Sequence, residues 1–311
     1  MSILSSLRSS KLITWKPTGK LQQTLTRSVE RKGISLHSGK VSKVKLCPGF
    51  AGQGRYFDFR SNLVPASVEF AQVSPLCTTL CKDGVRIRTV EHLLSALEAV
   101  GVDNCRIEIE NLDDQGDDDV EIPILDGSAW EWVAALEEVG LEIATDVDGK
   151  SYEKIAPHVN APVHIWRDDS FVAAFPSEVV RVTYGINFPQ APAIGCQWFS
   201  TTPLDDLVYS KQIAMSRTFC IYEEVEQMRN AGLIKGGSLE NAIVCSAGKG
   251  WLNPPLHFSD EPCRHKILDL IGDLSLFAQF GNQGLPVACI IAYKGGHALH
   301  VDLARQLMGI T

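Results

Sequence analysis

The sequence predicts an α+β protein whose two domains have similar sheet-plus-helix layers and share a cleft. Both halves of the 311-residue chain run through strand-like segments first and helix-like segments afterwards. Between the halves, residues 145–160 continue neither the alternation typical of strands nor the spacing typical of helices. They contain Gly149, Lys150, Pro157 and Asn160, which suits a linker. Because each sheet or helix buries one face against a second layer, we expect the functional cleft to lie between the two halves.

In the first half, alternation and helical spacing predict three strands and two helices. Val44 and Leu46 alternate with lysines, which is typical of a strand with one buried face. Thr89 is the expected N-cap of the first helix, and Ser128 with Glu131 forms the expected capping box of the second. The predicted strands cover residues 24–30, 41–47 and 104–110, and the predicted helices cover residues 89–100 and 128–139.

The second half repeats this order of elements. Its predicted strands cover residues 162–167, 170–176, 180–186 and 287–293, and its predicted helices lie near residues 221–231, at 264–279 and from about residue 299. We therefore assign residues 22–150 to a first α+β domain and residues 151–311 to a second.

Composition limits the classes of function. The net charge is −8 at pH 7, whereas nucleic-acid binders usually present a basic face, so we expect no nucleic-acid partner. The longest apolar run, residues 287–293, is far shorter than the ~18 residues that predict a membrane span. The nine cysteines are odd in number and irregularly spaced, which indicates a reducing compartment and small buried side chains.

The N-terminal segment has the composition of an organelle targeting peptide. Residues 1–29 contain no acidic residue and combine arginines and lysines with serines and leucines. We interpret residues 1–21 as a transit peptide and expect a mitochondrial protein, with the plastid or the cytoplasm as alternatives. The other interpretation of residues 1–21 is a disordered basic N-terminus.

The segment 264–274 carries the most informative residues. Its apolar side chains surround the helix axis, so the helix is expected to be buried on nearly all sides. His265, Asp269 and Asp273 are spaced i, i+4, i+8 and share one face. Buried carboxylates are costly unless they are paired or bind a metal, so we expect His265 and Asp269 to chelate one ion. The alternative is a buried hydrogen bond between the two side chains.

Glu91 and His92, at the start of the first helix, complete a metal site. Two imidazoles and one carboxylate leave a fourth position open, which is typical of catalytic zinc. We therefore predict that His92, His265 and Asp269 bind Zn²⁺, with Fe²⁺ as the alternative ion. Glu91 is then placed to take the proton of the metal-activated water. Taken alone, the Glu91–His92 pair also fits an exposed helix start.

His297 follows the last strand in a loop that contains Gly295 and Gly296. The glycines permit close approach of the backbone, which suits an acid that reaches the site. Asp273 is then placed to stabilise the imidazolium of His297. The alternative is an ordinary histidine in a surface loop.

An acidic run precedes the second helix. It consists of Asp113, Asp114, Asp117, Asp118, Asp119 and Glu121. We interpret it as a solvated loop, because its spacing does not match a calcium-binding EF-hand loop. A separate metal site is the alternative. A non-catalytic binding or scaffold protein would use this loop for its contacts.

Several motifs, in their order along the chain, resemble the UDP-3-O-acyl-N-acetylglucosamine deacetylases of lipid A biosynthesis. The resemblance extends from about residue 22 to residue 308. It is carried by residues 36–39 (LHSG), 89–97 (TVEHLLSAL), 121–129 (EIPILDGSA), 216–219 (SRTF), 235–239 (KGGSL), 264–274 (RHKILDLIGDL) and 296–297 (GH). The departures from the family pattern are Ser35, the stretch 187–189, Pro262, Cys263, Gly295 and His300. These departures bear on how the acyl chain fits and on which substrate is preferred, more than on the reaction itself.

The resemblance implies two similar domains with zinc at their interface, bound by the three ligands named above. It implies hydrolysis of the 2-acetamido group of UDP-3-O-(3-hydroxyacyl)-N-acetylglucosamine to acetate and a free amine. Glu91 is implied as the base, His297 as the acid or cation that assists amine departure, and Asp273 as the residue that orients His297. Thr218 is implied as a hydrogen-bond donor to the oxyanion.

The resemblance also implies the residues that bind substrate. Lys266 matches a residue that contacts the phosphates of the nucleotide sugar, and Phe219 and Glu224 match positions that line the substrate. Residues 188–200, with aromatic side chains at 188, 198 and 199, are the expected acyl-chain passage of the second domain. The basic N-terminal extension indicates a plant-like version, and we expect a monomer. A zinc amidase that acts on a different acylated amino sugar is the alternative function.

Overall fold

The structure, a computed structural model, describes residues 7–310 except residues 9, 73, 75, 114, 115, 117 and 254. The strands of the first half are β1 (Ile13–Leu21), β2 (Gln23–Leu25), β3 (Val29–Ile34), β4 (Val41–Pro48), β5 (Arg55–Phe59), β6 (Asn62–Pro65), β7 (Ala71–Gln72), β8 (Thr79–Lys82), β9 (Val85–Arg88), β10 (Cys105–Asn111), β11 (Asp119–Glu121) and β12 (Leu141–Ile143). Its helices are α1 (Glu91–Val100) and α2 (Trp130–Val139).

The second half contains a further set of strands and helices. The strands are β13 (Glu153–Val159), β14 (Val163–Arg167), β15 (Ser170–Pro176), β16 (Arg181–Phe188), β17 (Gly195–Ser200), β18 (Phe219–Ile221), β19 (Ile243–Ser246), β20 (Gly250–Trp251) and β21 (Ala288–Tyr293). The helices are α3 (Asp206–Gln212), α4 (Tyr222–Asn230), α5 (Glu261–Ser275) and α6 (His297–Met308). None of the helices in the described residues is long and apolar enough to cross a membrane.

Each half contains one five-stranded sheet, and the two sheets share one arrangement. The order is β3-β4-β10-β5-β6 in the first half and β14-β15-β21-β16-β17 in the second. In both, the central strand pairs antiparallel with the strand before it in this order and parallel with the strand after it. In both, the last element before the central strand is a helix, α1 or α5, and a further helix, α2 or α6, follows that strand in the sequence. The predicted α+β class with similar sheet-plus-helix layers is therefore confirmed.

The two halves meet where α1 crosses α5. A Cβ atom on Gly272 would lie 2.1 Å from the carbonyl oxygen of Glu91, so only glycine permits this approach. Ser95 Oγ donates a hydrogen bond across the same contact to Leu268 O, 2.8 Å away. The crossing therefore brings the start of α1 against the last turns of α5.

The start of the described chain belongs to the fold. Ile13–Leu21 forms β1 and pairs antiparallel with β13, and the Trp15 ring stacks on Phe277 with centroids 5.7 Å apart. The interpretation of residues 1–21 as disordered is therefore wrong for residues 13–21, because their backbone is paired with the first strand of the second half. Residues 1–6 and 9 of the predicted transit peptide lie outside the described residues.

The helix starts differ from the predicted ones. Thr89 is not the N-cap of α1: its φ of 58° lies in the left-handed region, and its Oγ1 donates to Glu121 Oε1 at 2.9 Å. Helix α2 begins at Trp130, where Ser128 Oγ accepts a hydrogen bond from Trp130 N at 3.0 Å. Thr89 thus binds a buried carboxylate instead of capping α1, whereas Ser128 accepts a local hydrogen bond two residues ahead.

The acidic run 113–121 is not a solvated loop throughout. Its last three residues form β11, parallel to β9. Glu121 is buried, and its two carboxylate oxygens accept hydrogen bonds from the backbone N–H groups of residues 37 and 38, each 2.8 Å long. The loop interpretation is wrong for Glu121, because these donors offset the cost of burying the carboxylate. The aspartates at 114 and 117 lie outside the described residues.

Candidate active site

Three side chains that are far apart in the sequence meet where α1 crosses α5. His92 is the second residue of α1, and His265 and Asp269 lie one turn apart on α5. One ligand atom from each residue lies within 4.8 Å of the other two. Asp269 Oδ1 is 3.6 Å from His92 Nε2 and 3.4 Å from His265 Nε2, and all three residues are buried. The group can hold a metal ion, and it consists of the three residues predicted as ligands.

The imidazoles are oriented toward a common point. His265 Nδ1 lies 3.0 Å from the carbonyl oxygen of Ser216, which only accepts hydrogen bonds. Nδ1 therefore carries the proton, and Nε2 directs a lone pair toward Asp269. Burial lowers the pKa of His265 to about 3, which keeps the ring neutral. His92 Nδ1 is buried and has no hydrogen-bond partner in the described part of the chain.

Asp269 stays ionised although it is buried. Burial alone would raise the pKa of this carboxyl, but the charge of Lys266 and the neighbouring His265 hold it well below its ordinary value. Lys266 Nζ lies 2.7 Å from Asp269 Oδ2, whereas Oδ1 faces the imidazoles. One carboxylate oxygen is thus satisfied by the lysine, and the other is directed to the point where the two histidines converge.

Glu91 is the first residue of α1 and directly precedes His92 in the sequence. Its Oε2 accepts a hydrogen bond from Thr78 N at 3.0 Å, and its Oε1 lies 3.9 Å from His297 Nε2. Burial raises the pKa of Glu91 to about 8, so this carboxyl can exchange a proton near neutral pH. Its position beside the predicted ligands is suited to acid–base chemistry.

A second histidine–carboxylate cluster lies one turn further along α5. Asp273 Oδ2 accepts hydrogen bonds from His297 Nδ1 at 2.9 Å and from His300 Nδ1 at 2.8 Å. Asp273 Oδ1 accepts from Thr78 Oγ1 at 2.5 Å. Although burial by itself lowers the pKa of His297, Asp273 and Glu91 raise it to about 10, so the ring is a cation at neutral pH. The predicted contact between Asp273 and His297 is present, and His297 begins α6 instead of lying in a loop.

A cavity of about 700 Å³ has His297 in its lining. Thr218, Phe219, Lys266 and His297 line it, and each was predicted from the sequence as catalytic or substrate-binding. Glu224 is exposed on α4 and does not belong to the lining, so its substrate contact stays a prediction. Thr218, Phe219, Lys266 and His297 thus face one common cavity.

Much of the cavity wall comes from the segment 218–252, and none of residues 188–200 lines it. Tyr222, Val225 and Met228, spaced three residues apart on α4, line it together with residues of the β18–β20 sheet. The prediction of an acyl-chain passage at residues 188–200 is corrected, because their strands pair as a hairpin and their aromatic rings pack elsewhere. Trp198 stacks on Tyr293, Phe199 lies against the Arg264 guanidinium, and Phe188 contacts Phe219 from outside the lining.

Sequence reasoning missed three residues that orient the site. Thr78 holds both carboxylates, Glu91 through its backbone N–H and Asp273 through its hydroxyl. Ser216 acts only through its carbonyl oxygen, so its side chain gave no signal. His300 could have been found, because it lies three residues after His297 and therefore on the same helix face.

The sequence is similar to known proteins over nearly its whole length. The family model of the UDP-3-O-acyl N-acetylglycosamine deacetylases matches residues 22–309. An Arabidopsis thaliana protein named probable UDP-3-O-acyl-N-acetylglucosamine deacetylase 1, mitochondrial, is 65% identical over 303 residues, which cover 97% of this chain and 93% of that protein. The UDP-3-O-acyl-N-acetylglucosamine deacetylase of Trichormus variabilis is 44% identical over 296 residues, 93% of this chain and 99% of that protein. The protein of the same name from Synechocystis is 42% identical over 288 residues, 91% of this chain and 97% of that protein.

Proposed function

Because the chain belongs to the UDP-3-O-acyl N-acetylglycosamine deacetylase family, we propose that it hydrolyses the 2-acetamido group of UDP-3-O-(3-hydroxyacyl)-N-acetylglucosamine. Water adds across the amide C–N bond, acetate leaves, and the sugar keeps a free amine. The reaction belongs to lipid A biosynthesis, as the resemblance of the sequence motifs implies. The mitochondrial names of the Arabidopsis relatives support the mitochondrial location expected from the basic N-terminus.

We further propose that the metal ion of this site is Zn²⁺. His92, His265 and Asp269 offer two nitrogen atoms and one oxygen atom, the donor set that zinc binds in catalytic sites. The hydrogen bond from His265 Nδ1 to Ser216 O supports this assignment, because it fixes the tautomer whose Nε2 can bind a cation. The same donors also accept Fe²⁺, so metal analysis decides between the two ions.

The residues around the metal ligands can carry the remaining steps. Bound zinc lowers the pKa of a water molecule toward about 7 and polarises a carbonyl oxygen. Glu91 accepts the proton of the attacking water, for which its raised pKa is suited. His297, held as a cation by Asp273, stabilises the developing negative charge and donates a proton to the leaving amine. Thr218, in the cavity wall, donates to the oxyanion of the tetrahedral intermediate.

The cavity supports an acylated nucleotide sugar as the substrate. Its lining is predominantly apolar and includes Val225, Met228 and Leu252, which suits a fatty acyl chain. Lys266 lies in the same wall and brings a positive charge to which phosphate oxygens can bind. The observation that carries the proposal is that two residues of the cavity lining contact the predicted site: Lys266 Nζ lies 2.7 Å from Asp269 Oδ2, and His297 Nε2 lies 3.9 Å from Glu91 Oε1.

The first experiment measures zinc content and acetate release with UDP-3-O-(3-hydroxyacyl)-N-acetylglucosamine. We expect one zinc per chain and catalytic turnover that a chelator abolishes and added zinc restores. Protein that holds zinc but releases no acetate from this substrate would contradict the proposed reaction. Chelator-insensitive release would contradict the metal assignment.

A second experiment separates this function from a zinc amidase for another acylated amino sugar. The enzyme is offered UDP-N-acetylglucosamine with and without the 3-O-acyl chain. We expect kcat/KM to be higher with the acyl chain, because the apolar wall gains contacts only then. Equal values for the two compounds would favour the alternative function.

A further inference from the structure

His300 lies in the first turn of α6, and contacts at both ring nitrogens hold it in one orientation. Its Nδ1 lies 2.8 Å from Asp273 Oδ2, and because an ionised carboxylate only accepts, Nδ1 carries the proton and donates. Its Nε2 lies 3.1 Å from the hydroxyl oxygen of Tyr184. Both side chains are fully buried, and burial lowers the pKa of His300 and raises that of Tyr184. The ring is therefore neutral, and Tyr184 donates to Nε2.

Asp273 lies between two imidazoles, those of His297 and His300. His297 and His300 both donate to Oδ2, while Thr78 donates to Oδ1. A buried carboxylate that accepts three hydrogen bonds has one favoured rotamer, because any rotation leaves donors without an acceptor. Without His300, Oδ2 keeps a single donor, and the rotamer of Asp273 is less well determined.

The same pair of side chains supports the turn that precedes His297. A Cβ atom on Gly295 would lie 2.8 Å from the Tyr184 hydroxyl and 3.2 Å from His300 Nε2. His300 N also donates to Gly296 O at 3.1 Å, within the first turn of α6. The Tyr184–His300 pair therefore packs directly against the backbone that carries His297.

We propose that His300 is a positioning residue for the deacetylation. It acts through Asp273: by fixing that carboxylate, it fixes the ring of His297, whose Nε2 faces Glu91 at 3.9 Å. Tyr184 contributes by donating to the other ring nitrogen of His300, which helps to hold the ring that fixes Asp273. This inference rests on the proposed function, since the ring of His297 matters for turnover only if His297 acts on the substrate.

Two substitutions at one position separate positioning from simple packing. In His300→Asn, the amide nitrogen is bonded to Cγ, as Nδ1 is in histidine, so it can donate to Asp273 from the same place. His300→Leu fills similar space without a donor. We expect His300→Leu to lower kcat about tenfold to a hundredfold, the range typical for loss of an orienting partner, with KM changed by less than about twofold.

The conservative variant decides the interpretation. We expect His300→Asn to keep kcat within about threefold of the unaltered enzyme, although it loses the contact with Tyr184. Both variants are compared at equal zinc content and with their Tm values. A His300→Leu enzyme with unaltered kcat would overturn the proposal. So would equal losses of kcat in both variants that follow their losses of Tm, because that result indicates packing alone.

A measurement without turnover distinguishes failure of this inference from failure of the proposed function. Proton NMR of the zinc-loaded protein reports the imidazole N–H groups that are hydrogen-bonded to a carboxylate, and His297→Gln assigns the His297 signal. We expect that signal to persist in His300→Asn and to shift or broaden in His300→Leu. An unchanged signal in His300→Leu would overturn the inference. If the signal changes as expected but no variant releases acetate, the proposed function fails and the positioning contact stands.

Discussion

Helix α5 carries two histidine–aspartate clusters one turn apart, and they satisfy their carboxylates in opposite ways. In the Asp273 cluster (Asp273, His297, His300), both imidazoles donate to the carboxylate at 2.8–2.9 Å. In the Asp269 cluster (Asp269, His92, His265), the imidazole nitrogens stand 3.4–3.6 Å from the carboxylate, and His265 donates instead to a backbone carbonyl. The imidazoles of the first cluster satisfy its carboxylate, whereas the second cluster directs acceptor atoms at one point, where a cation can bind.

This difference shows that proximity of histidines and a carboxylate does not by itself identify a metal site. Both clusters bring one ligand atom per residue within 4.8 Å of the others. What separates them is the direction of the N–H groups, since a protonated nitrogen that points at the carboxylate is unavailable to a metal. The comparison therefore predicts different results for the same substitution made one helical turn apart.

The largest effect is expected from Asp269→Asn, with Asp273→Asn as the matched variant. Loss of a ligand should cost more than the roughly tenfold to hundredfold that loss of an outer partner costs in metal affinity. We expect Asp269→Asn to lose its zinc on dialysis and its acetate release, whereas Asp273→Asn keeps its zinc. Metal content and acetate release are measured on both. Zinc loss in Asp273→Asn with zinc retention in Asp269→Asn would reverse the assignment of the clusters.

Glu91→Gln tests the group that lies between the clusters. The amide oxygen can still accept from Thr78 N, but it cannot take a proton, so kcat should fall by about 10²- to 10⁴-fold with zinc retained. The control is Glu224→Gln, which changes an exposed carboxylate on α4. Full activity in Glu91→Gln would remove Glu91 from the mechanism, whatever metal the protein holds.

The sequence predicted the members of the Asp269 cluster from two local pairs that ligand chemistry joins into one site. His265 and Asp269 are one turn apart in a helix that is apolar on the other sides, and Glu91 adjoins His92. Strands β4, β10, β14, β15, β16 and β21 were also predicted, since alternation is a short-range signal, whereas β5, β6 and β17 of the same two sheets were not. The contact between Asp273 and His297 was predicted because a buried carboxylate stabilises an imidazolium that lies near it.

The remaining features depend on tertiary packing and therefore left no local signal. The backbone N–H of Thr78 and the carbonyl of Ser216 orient the site, but backbone groups are identical in every sequence. Residues 188–200 contain three aromatic rings, and only the folded structure shows that Trp198 packs on the sheet and Phe199 on α5. The basic composition of residues 1–21 likewise gave no indication that Ile13–Leu21 pairs with β13.

The pH dependence of turnover tests the electrostatic role of the Asp273 cluster. The pKa of His297 is raised to about 10, so activity that needs the cation is present below that pH and is lost as the pH rises through it. Without the charge of Asp273, that pKa falls, and the alkaline limb of kcat should move to lower pH by about 1 to 3 units. The measurement is the pH–rate profile of Asp273→Asn at constant zinc content. An unmoved alkaline limb would assign that limb to another group.

The smallest expected effect is a change in Tm when zinc is removed. It distinguishes the cluster that is proposed to bind zinc from the one that is not. An ion that binds only the folded protein stabilises it by about 2.7 kcal/mol at a concentration about 100-fold above Kd. For a chain of this size that corresponds to a few degrees in Tm. We expect chelation to lower the Tm of the unaltered protein and of Asp273→Asn by similar amounts, because both keep the Asp269 cluster. Asp269→Asn should show no zinc-dependent shift, and a shift of unaltered size in that variant would mean that zinc binds elsewhere.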